Sequence, residues 1–225
     1  MQPQSVMPWS VRCVVFDLDG LMIDSEPLFE ESARRLLARR GVALQRTVLC
    51  AMMGTPARQA LQVFRDGHGL TETVEELRIE SSQLFHEILG EERVKLLPGV
   101  VELLERLEKK GIPRAIATSS SRRYLERVLT PYGLLEHFAF SLTCDDVTHG
   151  KPHPEIYKKA AARFDQSAAE MVVLEDSPNG LRAAKAAGAR CVIVPHALVP
   201  LDDLEGADAI VSNLLAPELL QLLQV

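Results

Sequence analysis

Aromatic residues make up only 5% of this 225-residue chain, with a single Trp, and cysteine occurs only four times. Cys13, Cys50, Cys144 and Cys191 form no CxxC pair and no Cys/His cluster at zinc-ligand spacing. That argues against structural zinc and for reduced, mostly buried thiols in a cytoplasmic protein. No apolar run reaches the roughly 18 to 20 residues of a membrane span. Residues 1–10 lack the charged and apolar regions of a signal peptide, and Pro3, Ser5 and Pro8 suggest a loose arm. A basic excess is missing too: 25 Lys+Arg against 31 Asp+Glu leave a net charge of −6, which excludes a general nucleic-acid-binding face. There is no internal repeat and no low-complexity tract. What remains, 47% hydrophobic and 25% charged, is the composition of an ordinary globular domain, and a monomer is expected.

Short apolar runs recur along the chain. Val11–Phe16, Arg114–Ala117, Phe138–Leu142, Met171–Leu174, Cys191–Val194 and Ala209–Val211 each read as a buried strand. Helical patterns lie between them: Val100–Lys110, with Val100, Val101, Leu103, Leu104 and Leu107 on one stripe, then Ser121–Tyr132, Pro154–Phe164 and Pro178–Ala187. This alternation predicts an α/β fold, a Rossmann-like parallel sheet with helices on both faces. The stretch 24–95 breaks the rhythm. It has helical periodicity and no convincing strand, with Leu28, Leu36 and Leu37 in a first helix ending near Gly41, Thr55-Pro56 as a helix start, and a further helix over Glu75–Leu89. It is expected to form a small all-α cap over a core made of 1–23 and 96–225.

Ligands of open parallel sheets bind beyond the carboxyl ends of the strands. Four of those ends hold polar residues. The first run ends in Asp17 and Asp19, whose alternation points both carboxylates the same way, so that a proton or cation is needed between them; a plain surface turn is the other reading. Thr118-Ser119-Ser120-Ser121 offers hydroxyls and amides suited to phosphate, and equally suited to helix capping by Ser120 or Ser121. Lys151 sits in a loop between His149 and Pro154, where it could offer a fixed charge or only solvated surface; neither His149 nor His153 is given a role. Glu175 and Asp176 close the fourth run, before Ser177 as N-cap and Pro178; hard carboxylate and carbonyl oxygens favour Mg2+.

In that order the segments Phe16-Asp17-Leu18-Asp19-Gly20, Ala117-Thr118-Ser119-Ser120, Gly150-Lys151-Pro152 and Leu174-Glu175-Asp176-Ser177 resemble the haloacid-dehalogenase superfamily of phosphohydrolases, and the insertion resembles the small cap of the subfamily that includes phosphoglycolate phosphatase and β-phosphoglucomutase. The resemblance implies Asp17 as nucleophile forming an aspartyl-phosphate, and Asp19 as the acid that protonates the leaving oxygen and then helps deprotonate water. It implies Thr118 and the Ser119 amide as holders of the phosphoryl group, and Lys151 as the charge that orients Asp17. It also implies Mg2+ held by Asp17, the Asp19 carbonyl and Asp176, with Glu175 as a direct ligand or behind one.

Asp19 favours phosphoryl chemistry over dehalogenation, and the absence of any lysine between Asp24 and Gly54 argues against a Schiff-base phosphonatase. Phe29 stands where the mutase subfamily has its cap histidine. Ala57 stands at its cap-loop arginine, with Arg58 one place late and still a candidate substrate contact. The expectation is therefore a Mg2+-dependent phosphatase of small phosphorylated metabolites, sugar phosphates or nucleoside monophosphate-like compounds, similar to pseudouridine-5′-phosphatase-like and broad sugar-phosphate phosphatases. A phosphosugar mutase is the alternative. A catalytically silent phosphometabolite-binding protein is the alternative of another class, and no motif residue is missing as that would allow.

Overall fold

The computed structural model describes residues 9–52, 57–91, 94–195 and 199–225. Six parallel strands form the main sheet: β1 (Cys13–Phe16), β4 (Arg114–Ala117), β5 (Phe140–Leu142), β6 (Met171–Glu175), β7 (Arg190–Ile193) and β8 (Ala209–Ile210). Their order is β5-β4-β1-β6-β7-β8, with β1 central between β4 and β6. Chain direction changes sides at β1, so a crevice opens beyond its carboxyl end.

The alternation of an extended chain divides β1 between two cores. Val14 and Phe16 pack with Leu103, Leu104 and Leu107 of α5 (Val100–Lys109), Leu125 and Val128 of α6 (Arg122–Leu129) and Leu219 and Leu223 of α9 (Pro217–Leu223). Cys13 and Val15 face Tyr157 and Ala160 of α7 (Glu155–Phe164) and Leu181 and Ala184 of α8 (Pro178–Ala187). Both faces of the sheet are thus covered, as its continuous apolar strands require.

Four helices, α1 (Glu26–Ala38), α2 (Arg46–Met52), α3 (Ala57–Gly67) and α4 (Val74–Glu91), interrupt the core after β1. They enclose a separate cluster of Leu36, Leu37, Phe64, Leu77 and Leu84. Two short strands that the sequence reading passed over, β2 (Ile23–Asp24) and β3 (Lys95–Leu96), pair antiparallel where the chain enters and leaves this block. Two residues each give no period to detect.

Other departures have local causes. The expected helix to Tyr132 stops at Leu129 and continues as a 3-10 turn over Thr130–Tyr132, because Pro131 has no N–H to donate. Val101 is exposed, since adjacent helical residues lie about 100° apart and Val100 already takes the core side. α9 went unread. Cys13 and Cys191 are buried, but Cys50 and Cys144 are exposed, which corrects the expectation of mostly buried thiols: Cys144 begins a turn past the carboxyl end of β5, and Cys50 faces outward from α2. Trp9 lies under the Arg190 guanidinium, 5.0 Å from its ring centroid. The Thr55-Pro56 helix start and the arm before Trp9 lie outside the described residues.

Candidate active site

Asp17 follows β1 directly and is 7% exposed. Its amide donates to the Leu174 carbonyl, so the β1–β6 ladder extends to it and fixes its backbone. Lys151, from the loop before α7, reaches the same point. Its Nζ donates to Asp17 Oδ1 at 2.5 Å, Glu175 Oε1 at 2.6 Å and the Ala117 carbonyl at 2.9 Å. Three acceptors satisfy the three ammonium hydrogens of a side chain that is 5% exposed. Its ammonium also lies 5.0 Å from the centroid of the Tyr157 ring.

Glu175, the last residue of β6, is fully buried. Oε1 accepts from Lys151 and from the Tyr157 hydroxyl at 2.7 Å; Oε2 accepts from the Asp176 and Ser177 amides and the Ser177 hydroxyl. Protein donors therefore occupy both oxygens. Asp176 stands beside it at the surface of the crevice, close against Gly20. An ideal Cβ at Gly20 would lie 2.1 Å from Asp176 Oδ2, and its φ of +77° is one that other residues rarely adopt. The glycine after Asp19 is thus what lets the two acidic segments meet.

Asp19 turns to the other side. Its Oδ2 accepts from Ser120 Oγ at 2.7 Å and its Oδ1 from the Tyr124 hydroxyl at 2.9 Å. Thr118 is buried; its Oγ1 accepts the Ser120 amide at 3.0 Å, which tightens the turn after β4 and leaves the hydroxyl hydrogen to be given elsewhere. Ser121 caps α6 by accepting from the Tyr124 amide. Capping and site duty thus fall to different serines of the same run.

The electrostatics are unbalanced. Carboxylate oxygens of Asp17, Glu175 and Asp176 lie within 4.8 Å of one another, and among the described residues Lys151 is the cation paired with them. Burial pushes Asp17 up to about 8, further raised by Glu175, with Lys151 pulling the other way. Burial and the neighbouring carboxylates also hold Asp176 well above the usual range. Burial would raise Glu175 as well, but the charge and hydrogen bond of Lys151 outweigh it and its carboxyl sits low. Lys151 is raised: its own burial disfavours the charge, and Asp17 and Glu175 more than compensate. Ionising all three acids at neutral pH calls for another cation, and the donors are hard oxygens of the kind that suit Mg2+.

Asp17, Asp19, Thr118, Lys151, Glu175 and Asp176 therefore converge at one sheet edge, with exposed Ser119 in the same turn. Arg58 does not join them. It is exposed on α3 beside Glu75. A second group, His149, His153 and Glu155, lies on the surface near Lys151. There Glu155 accepts the Thr148 and His149 amides and pairs with Lys159. Tyr124 and Tyr157 were missed in the sequence. The available signal was a phenol on the buried stripe of a helix, which needs a polar partner.

An α/β core with a lysine, a hydroxyl turn and converging acids at its strand ends has the form of a hydrolase acting on an anionic group. Residues 14–194 match the haloacid dehalogenase-like hydrolase family, and the chain belongs to that family. It is 34% identical over 184 residues to validoxylamine A 7′-phosphate phosphatase of Streptomyces hygroscopicus subsp. limoneus, covering 80% of this chain and 84% of the relative. It is 34% identical over 182 residues to the phosphorylated carbohydrates phosphatase of Thermotoga maritima, covering 79% and 82%. Among solved structures, CbbY from Rhodobacter sphaeroides in complex with phosphate superposes with a TM-score of 0.76 at 27% identity, over 91% of this chain and 95% of that one. The chain is an enzyme of the phosphoric monoester hydrolase class. No helix among the described residues is long and apolar enough to cross a membrane.

Proposed function

We propose that this chain is a Mg2+-dependent phosphatase of small phosphorylated metabolites, sugar phosphates foremost, working through an aspartyl-phosphate on Asp17. The observation that carries the reading is the buried contact of Lys151 with Asp17 and Glu175, set in a cluster with an excess of carboxylates. Relatives named for phosphorylated carbohydrates support the substrate class. The cation would be held by Asp17, Asp176 and the Asp19 carbonyl, with Glu175 behind them, since its oxygens are already taken. When bound it supplies the charge that lets an anionic nucleophile approach an anionic phosphate.

Lys151 fixes the rotation of Asp17 and favours its ionised form. Asp17 attacks phosphorus. As the Asp17–phosphorus bond forms and the ester bond breaks, Asp19 gives a proton to the leaving oxygen. Asp19 then takes a proton from water as that water displaces Asp17. The Thr118 hydroxyl and Ser119 amide hold the phosphoryl oxygens meanwhile. Residues 24–95 act as a cap that excludes bulk water, hinged where β2 and β3 pair. Arg58 reaches substrate only if the cap's movement brings it there. Burial of Asp17 restricts access and confines the chemistry to the crevice.

The test is phosphate release from a panel of sugar phosphates, nucleotides and phosphoglycolate, with Mg2+ and with chelator. Release that needs Mg2+ supports the reading. Sugar-phosphate isomers formed faster than phosphate would replace it with a mutase.

A further inference from the structure

Asp19 has both carboxylate oxygens engaged, and by different kinds of donor. Ser120 stands three residues past β4 and reaches Oδ2. Tyr124 lies on the first turns of α6, is largely buried, and reaches Oδ1. The phenol also meets the insert, where Ser25, the buried residue before α1, adds to its electrostatic surroundings. The Tyr124 ring packs 5.5 Å from the Phe85 ring of α4, which stacks at 4.6 Å on Phe29 of α1. A carboxylate at a strand end is thus tied through one phenol to two helices of the inserted block.

The two donors differ in what they can exchange. A serine hydroxyl turns easily, donating to an ionised oxygen or accepting from a protonated one. A phenol has one hydrogen to give, and Tyr124, its ring packed against Phe85, gives it to Asp19.

We propose that Tyr124 is a positioning residue for the acid step: it pins Oδ1 of Asp19 as a permanent acceptor, so that Oδ2, facing Ser120, is the oxygen that carries the transferable proton. The proposal rests on the phosphatase reading for its chemistry. In the first half-reaction the Asp17–phosphorus bond forms, the ester bond breaks, and the Oδ2 proton passes to the leaving oxygen. Water restores that proton in the second half. No other reactant is needed.

The consequence is selective. Leaving groups of high pKa need the acid; p-nitrophenolate hardly does. kcat/KM reports only the steps through ester cleavage, so it isolates the acid role from the later attack by water. Tyr124→Phe keeps the ring against Phe85 and deletes only the hydroxyl. Its kcat/KM should fall about tenfold more on alkyl phosphates such as glycerol phosphate than on p-nitrophenyl phosphate. Ser120→Ala should show the same selectivity. Equal losses on both esters, or none, would overturn the proposal.

A crystal structure of Tyr124→Phe supplies a readout without turnover. The Asp19 carboxylate should be displaced or spread over more than one rotamer; an unmoved carboxylate overturns the proposal whatever the kinetics. Absence of phosphate release by the wild-type enzyme from every ester would instead remove the phosphatase reading, and with it the acid step assigned to Tyr124.

Discussion

The Glu175 carboxylate occupies the space that a side chain at Gly180 would need. An ideal Cβ there would lie 1.8 Å from Glu175 Cδ and Oε1. Gly180 sits in the first turn of α8, two residues after Pro178, and its amide is capped by Ser177 Oγ. The helix therefore presses its backbone against the carboxylate that holds Lys151. Gly180→Ala has to push Glu175 off Lys151 and Tyr157. We expect a loss of about 3 kcal/mol in urea unfolding, and at least a hundredfold loss of kcat, about 2.7 kcal/mol of transition-state stabilisation. Wild-type values in either measurement would show that the contact is not needed.

Lys151→Met should destabilise more at neutral pH than at acid pH. Removing the ammonium leaves Asp17 and Glu175 facing each other, buried and without their shared partner, at a cost of about 3–5 kcal/mol. Both acids then protonate more readily than in the wild type, which relieves the repulsion. Urea midpoints compared at pH 7.5 and pH 5 should therefore converge as the pH falls, values chosen to lie either side of roughly neutral carboxyl titration.

Without divalent cation, stability should decline as pH rises from about 4 toward 8. Asp17 is raised from its ordinary value to about 8 and Asp176 is raised too, so the folded protein holds more protons than the unfolded chain across that window. Stability then falls with rising pH. Glu175 has the opposite sign, being low in the folded state; it adds stability above its ordinary pKa that is lost on acidification. Lys151 is raised and contributes fully below its ordinary pKa, so it does not change within this window. Mg2+ should displace the extra protons, raise the melting temperature most at the alkaline end, and release protons on binding, seen by calorimetry in buffers of different ionisation enthalpy. A melting profile indifferent to both pH and Mg2+ would contradict the electrostatic account.

How far the sequence could be read depended on where information lies along the chain. β1, β4 and β6 announced themselves because strands buried on both faces must be apolar throughout, and each ended in the residues that meet in the crevice. Ser177 and Pro178 marked the start of α8 through capping chemistry that is local. The pairing of β2 with β3 was silent because it joins residues some seventy positions apart in two-residue strands. Tyr124 and Tyr157 were silent for a related reason: they sit on the inner sides of α6 and α7, while their partners Asp19 and Glu175 lie at strand ends 105 and 18 positions away. The residues around Lys151 leave open a fixed charge or solvated surface; only the family resemblance sets it beside Asp17, 134 positions away, where the structure has it donate to Oδ1.

The central claim is that Asp17 takes the phosphoryl group. Acid-quenching the Mg2+-loaded enzyme during turnover of a sugar phosphate, followed by peptide mass analysis, tests it most directly. The account predicts one phosphoryl mass on the peptide containing Asp17, absent from Asp17→Asn, which should still fold and melt near the wild type. A phosphoryl group on another residue, or Asp17→Asn turnover at the wild-type rate, would contradict it.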